Sequence, residues 1–313
     1  MTALPPLGFI GLGIMGGPLA GHLLQAGYPL FVHTRTYARA APLLARGARW
    51  CDHPAAVAAE CTTLLTMVTD TPDVEQVLFG PHGAAETLRP GACVVDLSTI
   101  DPEATRDFAA RLAARGVTLL DAPVTGGDSG ARNATLTIMV GGPAAAFERV
   151  RPILAHLGRR IVHVGPSGSG QMLKACNQIL CAVNLLGVCE AVQLARAGGL
   201  DLTGMIETLA TGAGGSWALT NLGPKIAAGD FQPAFMVRLI QKDLRIVQAA
   251  AQRRGVPLPG TALAQQLFRA VEAAGGGDLG TQALIRVYER LSAPPAAAAA
   301  DGPAEAAGRV REV

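Results

Sequence analysis

The chain has 313 residues, of which 50% are hydrophobic and 16% are charged, and its formal net charge is +2. This composition excludes a disordered chain, and because the basic residues are scattered rather than clustered, nucleic acid is not an expected partner. The length suits two compact domains. The 6 cysteines occur without CxxC pairs, which indicates buried, reduced thiols and no zinc or other metal site.

The N-terminal segment has an unusual charge pattern, because no Asp, Glu, Lys or Arg precedes Arg35. A signal peptide would begin with basic residues, and a membrane span would not be interrupted by so many glycines and prolines. We therefore expect a cytoplasmic protein that does not associate with a membrane.

A glycine-rich turn follows the first apolar run. Residues 7–12 predict a buried strand, and an apolar helical pattern then continues to Ala26 before Gly27 ends it. The turn between them is GLGIMG, which comprises Gly11, Leu12, Gly13, Ile14, Met15 and Gly16. Glycines at this spacing make a tight turn, let the backbone approach a pyrophosphate and pack the helix on the strand. With a second strand at 30–33, the pattern predicts a dinucleotide-binding site.

The residues after this second strand bear on the choice of cofactor. An NAD site usually has an acidic residue here for the adenine-ribose 2′-hydroxyl. This chain instead has Thr34, Arg35 and Thr36, which suit a 2′-phosphate because guanidinium binds phosphate bidentately. We therefore expect NADP(H) in preference to NAD(H). The alternative is that Arg35 is a solvated residue at the start of a helix.

Apolar runs alternate with helical stretches through the rest of the first half. The further predicted strands are residues 62–68, 93–98, 118–123, 135–142 and 160–165. This alternation indicates a doubly wound parallel sheet of Rossmann type, in a first domain at 1–165. Ligands bind such sheets outside the carboxyl ends of the strands. The rim of one cleft is therefore expected at Met67-Val68-Thr69-Asp70, Ser98-Thr99 and Pro123-Val124-Thr125-Gly126-Gly127.

The second half of the chain is predicted to be helical. A long apolar helix is predicted from Gln171 to Ala197 and would join the two domains, because it exceeds the usual helix length. Glycines and prolines then separate shorter helices in an all-α domain at 166–292. Residues 293–313 include a Pro/Ala-rich stretch and are expected to form a flexible tail.

Lys174 stands out on the long helix. The chain has three lysines against 23 arginines, and Lys174 shares a helical face with Gly170, Asn177 and Gln178. Lysine can exchange a proton when burial tunes it, whereas arginine cannot. All 6 histidines lie in the first domain at 1–165, so Lys174 is the candidate general acid/base of the helical domain. Gly170, one helical turn before Lys174, is expected to leave space beside the lysine side chain. The alternative is that Lys174 is an ordinary surface lysine.

Four blocks together resemble the 3-hydroxyisobutyrate dehydrogenase, or β-hydroxyacid dehydrogenase, family. They are GFIGLGIMGGPLA (8–20), DAPVTGGDSGARNATLTIMVGG (121–142), GSGQMLKACNQ (168–178) and FMVRLIQKDL (235–244). The KACNQ block and the residues after it are similar to the tartronate semialdehyde reductase (2-hydroxy-3-oxopropionate reductase) branch.

The resemblance implies roles at the matching positions. Lys174 corresponds to the general acid/base of the family. Thr125, Gly126 and Gly127 would cradle a substrate carboxylate through a hydroxyl and successive N–H groups. The other implied contacts are Asn177 and Gln178 to substrate oxygens, Phe235 as a pocket wall, Asp243 as a brace, and Lys242 with Thr99 to the nicotinamide half of the cofactor.

Two residues depart from the family pattern: Thr125 replaces a more usual serine, and Gln178 replaces a common asparagine. These two differences leave the identity of the substrate undetermined, but they do not affect the expected type of reaction. Asp243 follows Lys242 directly, and because adjacent helical residues do not face each other, we expect a separate role for it. The resemblance implies reversible hydride transfer between NADP(H) and a small 3-hydroxy acid or semialdehyde. The long apolar helix and the glycine-rich helical domain predict a homodimer or homotetramer. The alternatives are an imine reductase and a non-catalytic nucleotide-binding module.

Overall fold

The computed structural model describes residues 4–292, so the expected tail at 293–313 lies outside the described residues. Strands and helices alternate up to Gly165, and the chain is helical beyond it. The strands are β1 (Leu7–Ile10), β2 (Leu30–His33), β3 (Arg49–Trp50), β4 (Thr63–Thr66), β5 (Cys93–Asp96), β6 (Thr118–Asp121), β7 (Val124–Thr125), β8 (Leu136–Gly141) and β9 (Gly158–Gly165). The helices are α1 (Gly16–Gln25), α2 (Ala41–Leu44), α3 (Pro54–Ala59), α4 (Thr71–Phe79), α5 (Pro102–Ala113), α6 (Gly127–Arg132), α7 (Ala144–Leu154), α8 (Ser169–Ala197), α9 (Leu202–Ala210), α10 (Trp217–Ala228), α11 (Val237–Gln252), α12 (Pro259–Val271) and α13 (Ile285–Ser292).

The strands between residues 4 and 165 form one sheet, in the order β3-β2-β1-β4-β5-β6-β8-β7, with β9 paired to β8. From β3 to β6 every pairing is parallel, and the register places Ile10, Thr66, Asp96 and Asp121 side by side at the carboxyl ends. Apolar side chains on both faces are buried, as a sheet covered by helices on both sides requires. The Rossmann-type fold expected from the apolar runs is therefore confirmed.

The far edge of the sheet differs from the expected all-parallel arrangement. β8 runs antiparallel to both β6 and β7, and β9 returns parallel to β8. Two short strands, β3 and β7, were not predicted, because two residues are too few to show a hydrophobic period.

The helical region has its own apolar core, built around α8. Ala182, Leu185, Val188 and Val192 of this helix pack with residues of α10, α11 and α12. By length and composition alone, α8 could also cross a membrane, a test that the core helix of a soluble protein passes as well. Gly229 ends α10 at φ +66°, which is the helix end expected of a glycine at that position.

The start of α8 is fixed to the sheet by Asp121 at the end of β6. Its Oδ1 accepts a hydrogen bond from Gly168 N at 2.8 Å, and its Oδ2 accepts one from Gln171 N at 2.9 Å. A Cβ on Gly170 would lie 2.3 Å from the Met139 carbonyl oxygen. Gly170 is therefore required for close packing of α8 on the sheet, which differs from the expected clearance above Lys174.

Candidate active site

The glycine-rich turn between β1 and α1 combines two packed glycines with one open glycine. A Cβ on Gly11 would lie 2.2 Å from the Met67 carbonyl oxygen, and one on Gly16 would lie 1.9 Å from that of Gly11. A Cβ on Gly13 would meet only Arg39 Nη1 within 4 Å, at 3.9 Å. The turn thus leaves bare backbone at Gly13, which is the fit that a dinucleotide pyrophosphate needs.

Arg35 projects into solvent beyond the end of β2, with 83% of its side chain exposed, and its Nη1 lies 3.4 Å from Asp73 Oδ1. Thr34 is buried and Thr36 is exposed. Arg39, one helical turn on, was not singled out from the sequence. Its guanidinium lies over the turn at Gly13 and forms no ion pair with any described residue. Arg39 is therefore the arginine that the structure places beside the turn.

The loops after β4 and β5 are tied to each other. Val68 N donates to the Ser98 hydroxyl at 2.9 Å, and Ser98 N donates to Asp96 Oδ1 at 3.1 Å. Asp96 Oδ1 also accepts a hydrogen bond from the Thr66 hydroxyl at 2.8 Å. Met67, Val68 and Thr99, the expected cofactor contacts, are therefore on one fixed rim, although all are only partly exposed.

Asp96 is a buried carboxyl beneath this rim. Its Oδ2 has no hydrogen-bond partner among the described residues. Burial raises the pKa of Asp96 to about 6, against the hydrogen bonds from Ser98 and Thr66 that lower it. The carboxyl beneath this rim therefore keeps its proton to a higher pH than an ordinary aspartate does.

Lys174 lies on the buried face of α8, with 7% of its surface exposed. It forms no ion pair with any residue in the described range 4–292. Burial lowers the pKa of its ammonium, and the nearby charge of Lys242 lowers it further, whereas Asp243 and Cys181 raise it. A lysine in this setting is suited to give and take a proton, and it is not the surface lysine of the alternative interpretation.

A chain of polar contacts follows Lys174 along α8 and crosses to α11. Asn177 Nδ2 donates to Gln178 Oε1 at 2.7 Å, and Gln178 Nε2 donates to Asp243 Oδ2 at 2.6 Å. Lys242 Nζ lies 2.7 Å from Asp243 Oδ1 and donates to the Thr99 carbonyl oxygen at 2.7 Å. Five of the sequence-predicted residues are therefore joined in one network.

The pairing of Lys242 with Asp243 corrects one expectation, since neighbouring residues on a helix were expected to face apart. The flexible lysine stem folds back so that the two charges meet, and Oδ1 accepts no hydrogen bond of normal geometry. Asp243 is nonetheless buried, so it is not merely the surface partner of Lys242.

The remaining predicted residues lie on two other elements. Thr125 ends β7, which packs against α8, and Gly126 and Gly127 follow it as exposed backbone. Phe235 precedes α11 and packs partly buried against the helical core. No described hydrogen bond joins these four residues to the network around Lys174, so their roles stay predictions.

Three polar residues of the site were missed by the sequence analysis or seen only as strand residues: Asp96, Asp121 and Gln171. All three are buried. The signal available was a carboxylate at the end of an apolar run, which is unusual enough to single out. Gln171 offered no such signal, because a glutamine at a helix start is ordinary.

The described residues 4–292 contain no group of three or more His, Cys, Asp or Glu side chains arranged to hold a metal ion. The six cysteines are all free thiols, but the expectation that they are buried is wrong for half of them. Cys61, Cys93 and Cys189 are buried, Cys51 is half-buried, and Cys176 and Cys181 are exposed on α8.

The Rossmann-type sheet and the bare backbone of the glycine-rich turn define a dinucleotide-binding protein. Residues 6–165 match the model for the NAD-binding domain of 6-phosphogluconate dehydrogenase. Residues 168–288 match the model for the NAD-binding region of NADP-dependent 3-hydroxyisobutyrate dehydrogenase. The chain belongs to the β-hydroxyacid dehydrogenase family, as its four sequence blocks indicated.

Individual relatives agree with this assignment. The chain is 46% identical to an uncharacterised oxidoreductase of Synechocystis sp. over 280 residues, covering 89% of this chain and 96% of the relative. It is 41% identical to 2-hydroxy-3-oxopropionate reductase of Escherichia coli over 286 residues, covering 91% and 98%. The solved structure of Mycobacterium tuberculosis 3-hydroxyisobutyrate dehydrogenase with L-serine has 31% identity and a TM-score of 0.84, covering 93% of this chain and 100% of that chain.

Proposed function

We propose that this protein catalyses reversible hydride transfer between NADP(H) and a small 3-hydroxy acid or its semialdehyde, with Lys174 as general acid/base. The observation that carries the proposal is the buried ammonium of Lys174, which has no ion-pair partner in the described structure. Burying a charge is costly, so such a lysine indicates a chemical task rather than a structural one.

The chain's own residues would divide the work as follows. In reduction, the Lys174 ammonium donates a proton to the oxygen that was the substrate carbonyl; in oxidation, the neutral amine accepts it. Burial lowers the pKa of Lys174 from its ordinary value, which favours the neutral amine that oxidation requires. Thr125, Gly126 and Gly127 would bind the carboxylate, and Asn177 and Gln178 would orient the substrate oxygens, while Phe235 closes one side. A bound nicotinamide would supply or accept the hydride.

The substrate class rests on the relatives and on Gln178. One relative is named for 2-hydroxy-3-oxopropionate reduction, and one solved structure contains L-serine, a 3-hydroxy acid. Both compounds are short carboxylates with an oxygen on the third carbon. Gln178, where the family commonly has asparagine, follows Lys174 by four residues on α8, and its amide is held between Asn177 and Asp243.

Substrate turnover tests this proposal. NADPH and NADH oxidation would be followed with tartronate semialdehyde, methylmalonate semialdehyde, succinic semialdehyde and glyoxylate, and with a cyclic imine to test the imine reductase alternative. We expect the highest kcat/KM with one of the two three-carbon-chain semialdehydes. Turnover of the imine alone would contradict the proposal, and NADPH binding without any turnover would favour the non-catalytic module.

The preference for NADP(H) is supported by Arg35, which follows β2 and is exposed, and by Arg39 beside the glycine-rich turn. A charge-assisted hydrogen bond contributes about 1.5–3 kcal/mol, so Arg35→Ser should raise the KM for NADPH by about 10- to 100-fold and leave that for NADH nearly unchanged. Arg159→Ser, an exposed arginine on β9, is the matched control. A wild-type enzyme that prefers NADH would refute the assignment.

Self-association is supported by the outer face of α8. Leu173, Leu180 and Leu194 are 40%, 60% and 77% exposed and recur at multiples of seven residues along this helix. Apolar side chains aligned on one face suit a copy of the same surface, as in a homodimer or homotetramer. Leu194→Glu should shift the molar mass measured by light scattering toward the monomer, whereas an unchanged mass would exclude this face. A cytoplasmic location stays a prediction.

A further inference from the structure

Gln171 lies one helical turn before Lys174 and is 1% exposed. Both polar atoms of its side-chain amide form hydrogen bonds with one short segment of the sheet rim, Ser98–Ile100. Its Oε1 accepts a hydrogen bond from Ile100 N at 3.1 Å, and its Nε2 donates to the Ser98 carbonyl oxygen at 2.8 Å. A buried amide satisfied in this way fixes both the distance and the orientation of the segment relative to α8.

Thr99, the residue between Ser98 and Ile100, forms a hydrogen bond with a side chain of a different helix, α11. Lys242 Nζ donates to the Thr99 carbonyl oxygen at 2.7 Å. Consecutive backbone groups of the rim are therefore bound by side chains of two different helices, α8 and α11. The Ser98–Ile100 segment is fastened to the helical region by side chains alone.

These contacts close into a ring. From the Ser98–Ile100 segment the path leads through Lys242 to Asp243, and from Asp243 Oδ2 to Gln178 Nε2 at 2.6 Å. Gln178 and Gln171 lie on the same buried face of α8, four residues after and three residues before Lys174. The ring thus runs around the position of Lys174.

Two further hydrogen bonds connect the ring to the sheet and its loops. The Ser98 hydroxyl accepts a hydrogen bond from Val68 N at 2.9 Å, and Asp121 holds Gln171 N at 2.9 Å. Movement of the rim away from α8 would therefore break several buried hydrogen bonds together. Among residues 4–292, Gln171 is the one side chain of α8 that hydrogen-bonds directly to the Ser98–Ile100 segment.

We infer that Gln171 is a positioning residue, which sets the distance between the nicotinamide-side rim at Ser98–Ile100 and the proton-transferring Lys174. The inference rests on the proposed function, since it takes Lys174 as the acid/base and Thr99 as a neighbour of the nicotinamide. Hydride and proton transfer require both groups to reach the same substrate carbon and oxygen, so a change in this distance acts on kcat more than on binding.

The test is Gln171→Met, which keeps an unbranched side chain of similar length but neither donates nor accepts a normal hydrogen bond. We expect kcat to fall by about 10- to 100-fold, with the Kd for NADPH changed by less than about threefold because the glycine-rich turn is untouched. The isotope effect with NADPH deuterated at the transferred hydrogen should rise, since misalignment slows the hydride step. A purely structural role would lower the melting temperature without raising the isotope effect. Gln193→Met, on the same helix and outside the ring, is the control.

A second measurement needs no turnover. Amide hydrogen exchange at Ile100 should accelerate in Gln171→Met, because its N–H loses its acceptor. Unchanged exchange, or faster exchange with unaltered kcat and isotope effect, would overturn the inference. If Gln171→Met fails to fold, Gln171→Glu keeps an acceptor for Ile100 N but replaces the donor to Ser98 by a carboxylate oxygen facing a carbonyl oxygen, so a loss of kcat is expected and wild-type kcat is the overturning result. A wild-type protein without turnover would refute the proposed function, while exchange at Ile100 would still report on the Gln171 link.

Discussion

The candidate site has two sides, which we call the sheet wall and the helical wall, and they are built from different parts of the chain. The sheet wall is mostly backbone: Gly11 and Gly16 pack against carbonyl oxygens, and Gly13 leaves the chain bare. The helical wall is mostly side chain, with Lys174 and Gln178 buried on one face of α8. A backbone wall tolerates changes of neighbouring side chains but rejects an added Cβ. A side-chain wall is instead sensitive to changes of neighbouring side chains, because each polar group depends on one partner.

The largest effect is expected on the helical wall, at Lys174. Lys174→Met should lower kcat by about 10²- to 10⁴-fold, the usual contribution of a general acid/base, with NADPH binding retained. The same change removes a buried charge, so the free energy of unfolding at pH 7 should rise. This gain should shrink as pH increases from the lowered pKa of Lys174 toward 10.5, because the wild-type lysine then loses its charge.

Steady-state kinetics, NADPH fluorescence titration and urea unfolding measure these three quantities. Lys225→Met is the matched control, since Lys225 is a surface lysine 3.5 Å from Asp230. A Lys174→Met enzyme within tenfold of the wild-type kcat would show that the helical wall does not supply the proton.

The sheet wall is tested by two glycines that differ in their surroundings. Gly16→Ala would place a Cβ 1.9 Å from the Gly11 carbonyl oxygen, so we expect poor folding or a loss of several kcal/mol. Gly13→Ala meets only the end of a flexible arginine, so it should fold normally and weaken cofactor binding alone. Thermal unfolding and NADPH titration of both variants make the comparison. Equal stability of the two variants would contradict the description of the turn.

A smaller effect, dependent on pH, is expected at Asp96, where the sheet wall uses a buried side chain. Because the pKa of Asp96 rises from 3.8 to about 6 on folding, the wild-type protein loses stability as pH increases through this window. Asp96→Asn cannot ionise, so its free energy of unfolding relative to wild type should improve between pH 4 and 7, by up to about 3 kcal/mol. Urea unfolding at several pH values measures this, and parallel curves would show that Asp96 does not titrate there.

The smallest effect is expected where the two walls meet at the surface. Asp101 caps α5 through Oδ1, and its Oδ2 lies 2.5 Å from Arg253 Nη2, just beyond α11. Exposed pairs of this kind contribute about 0.2–1 kcal/mol and are screened by salt. Arg253→Gln should therefore lower the free energy of unfolding by no more than this, and the difference should fade at high salt. A larger loss, independent of salt, would mean that this contact is more than a surface ion pair.

The sequence predicted the sheet wall better than the helical wall. Apolar runs and glycine spacing are local signals, so β1, α1 and the turn at Gly11 were found close to their true places. Lys174 was found because a rare residue type stood on a helical face. The contacts of Gln171 with Ser98 and Ile100 could not be predicted, since they join residues more than 70 positions apart through side-chain geometry. The Lys242 to Asp243 pair was misjudged because backbone spacing does not fix where a long flexible side chain ends.

The cap that Asp121 places on α8 has a consequence for folding. The first N–H groups of this helix find their acceptor on a strand about 50 residues earlier in the chain, so the beginning of the helix is completed only when the sheet has formed. A fragment that starts after Gly165 would keep the apolar core around α8 but would fray at the turns that carry Gln171 and Lys174. Recombination of this helical region with the sheet of a relative therefore requires an acidic residue at the end of the incoming sixth strand.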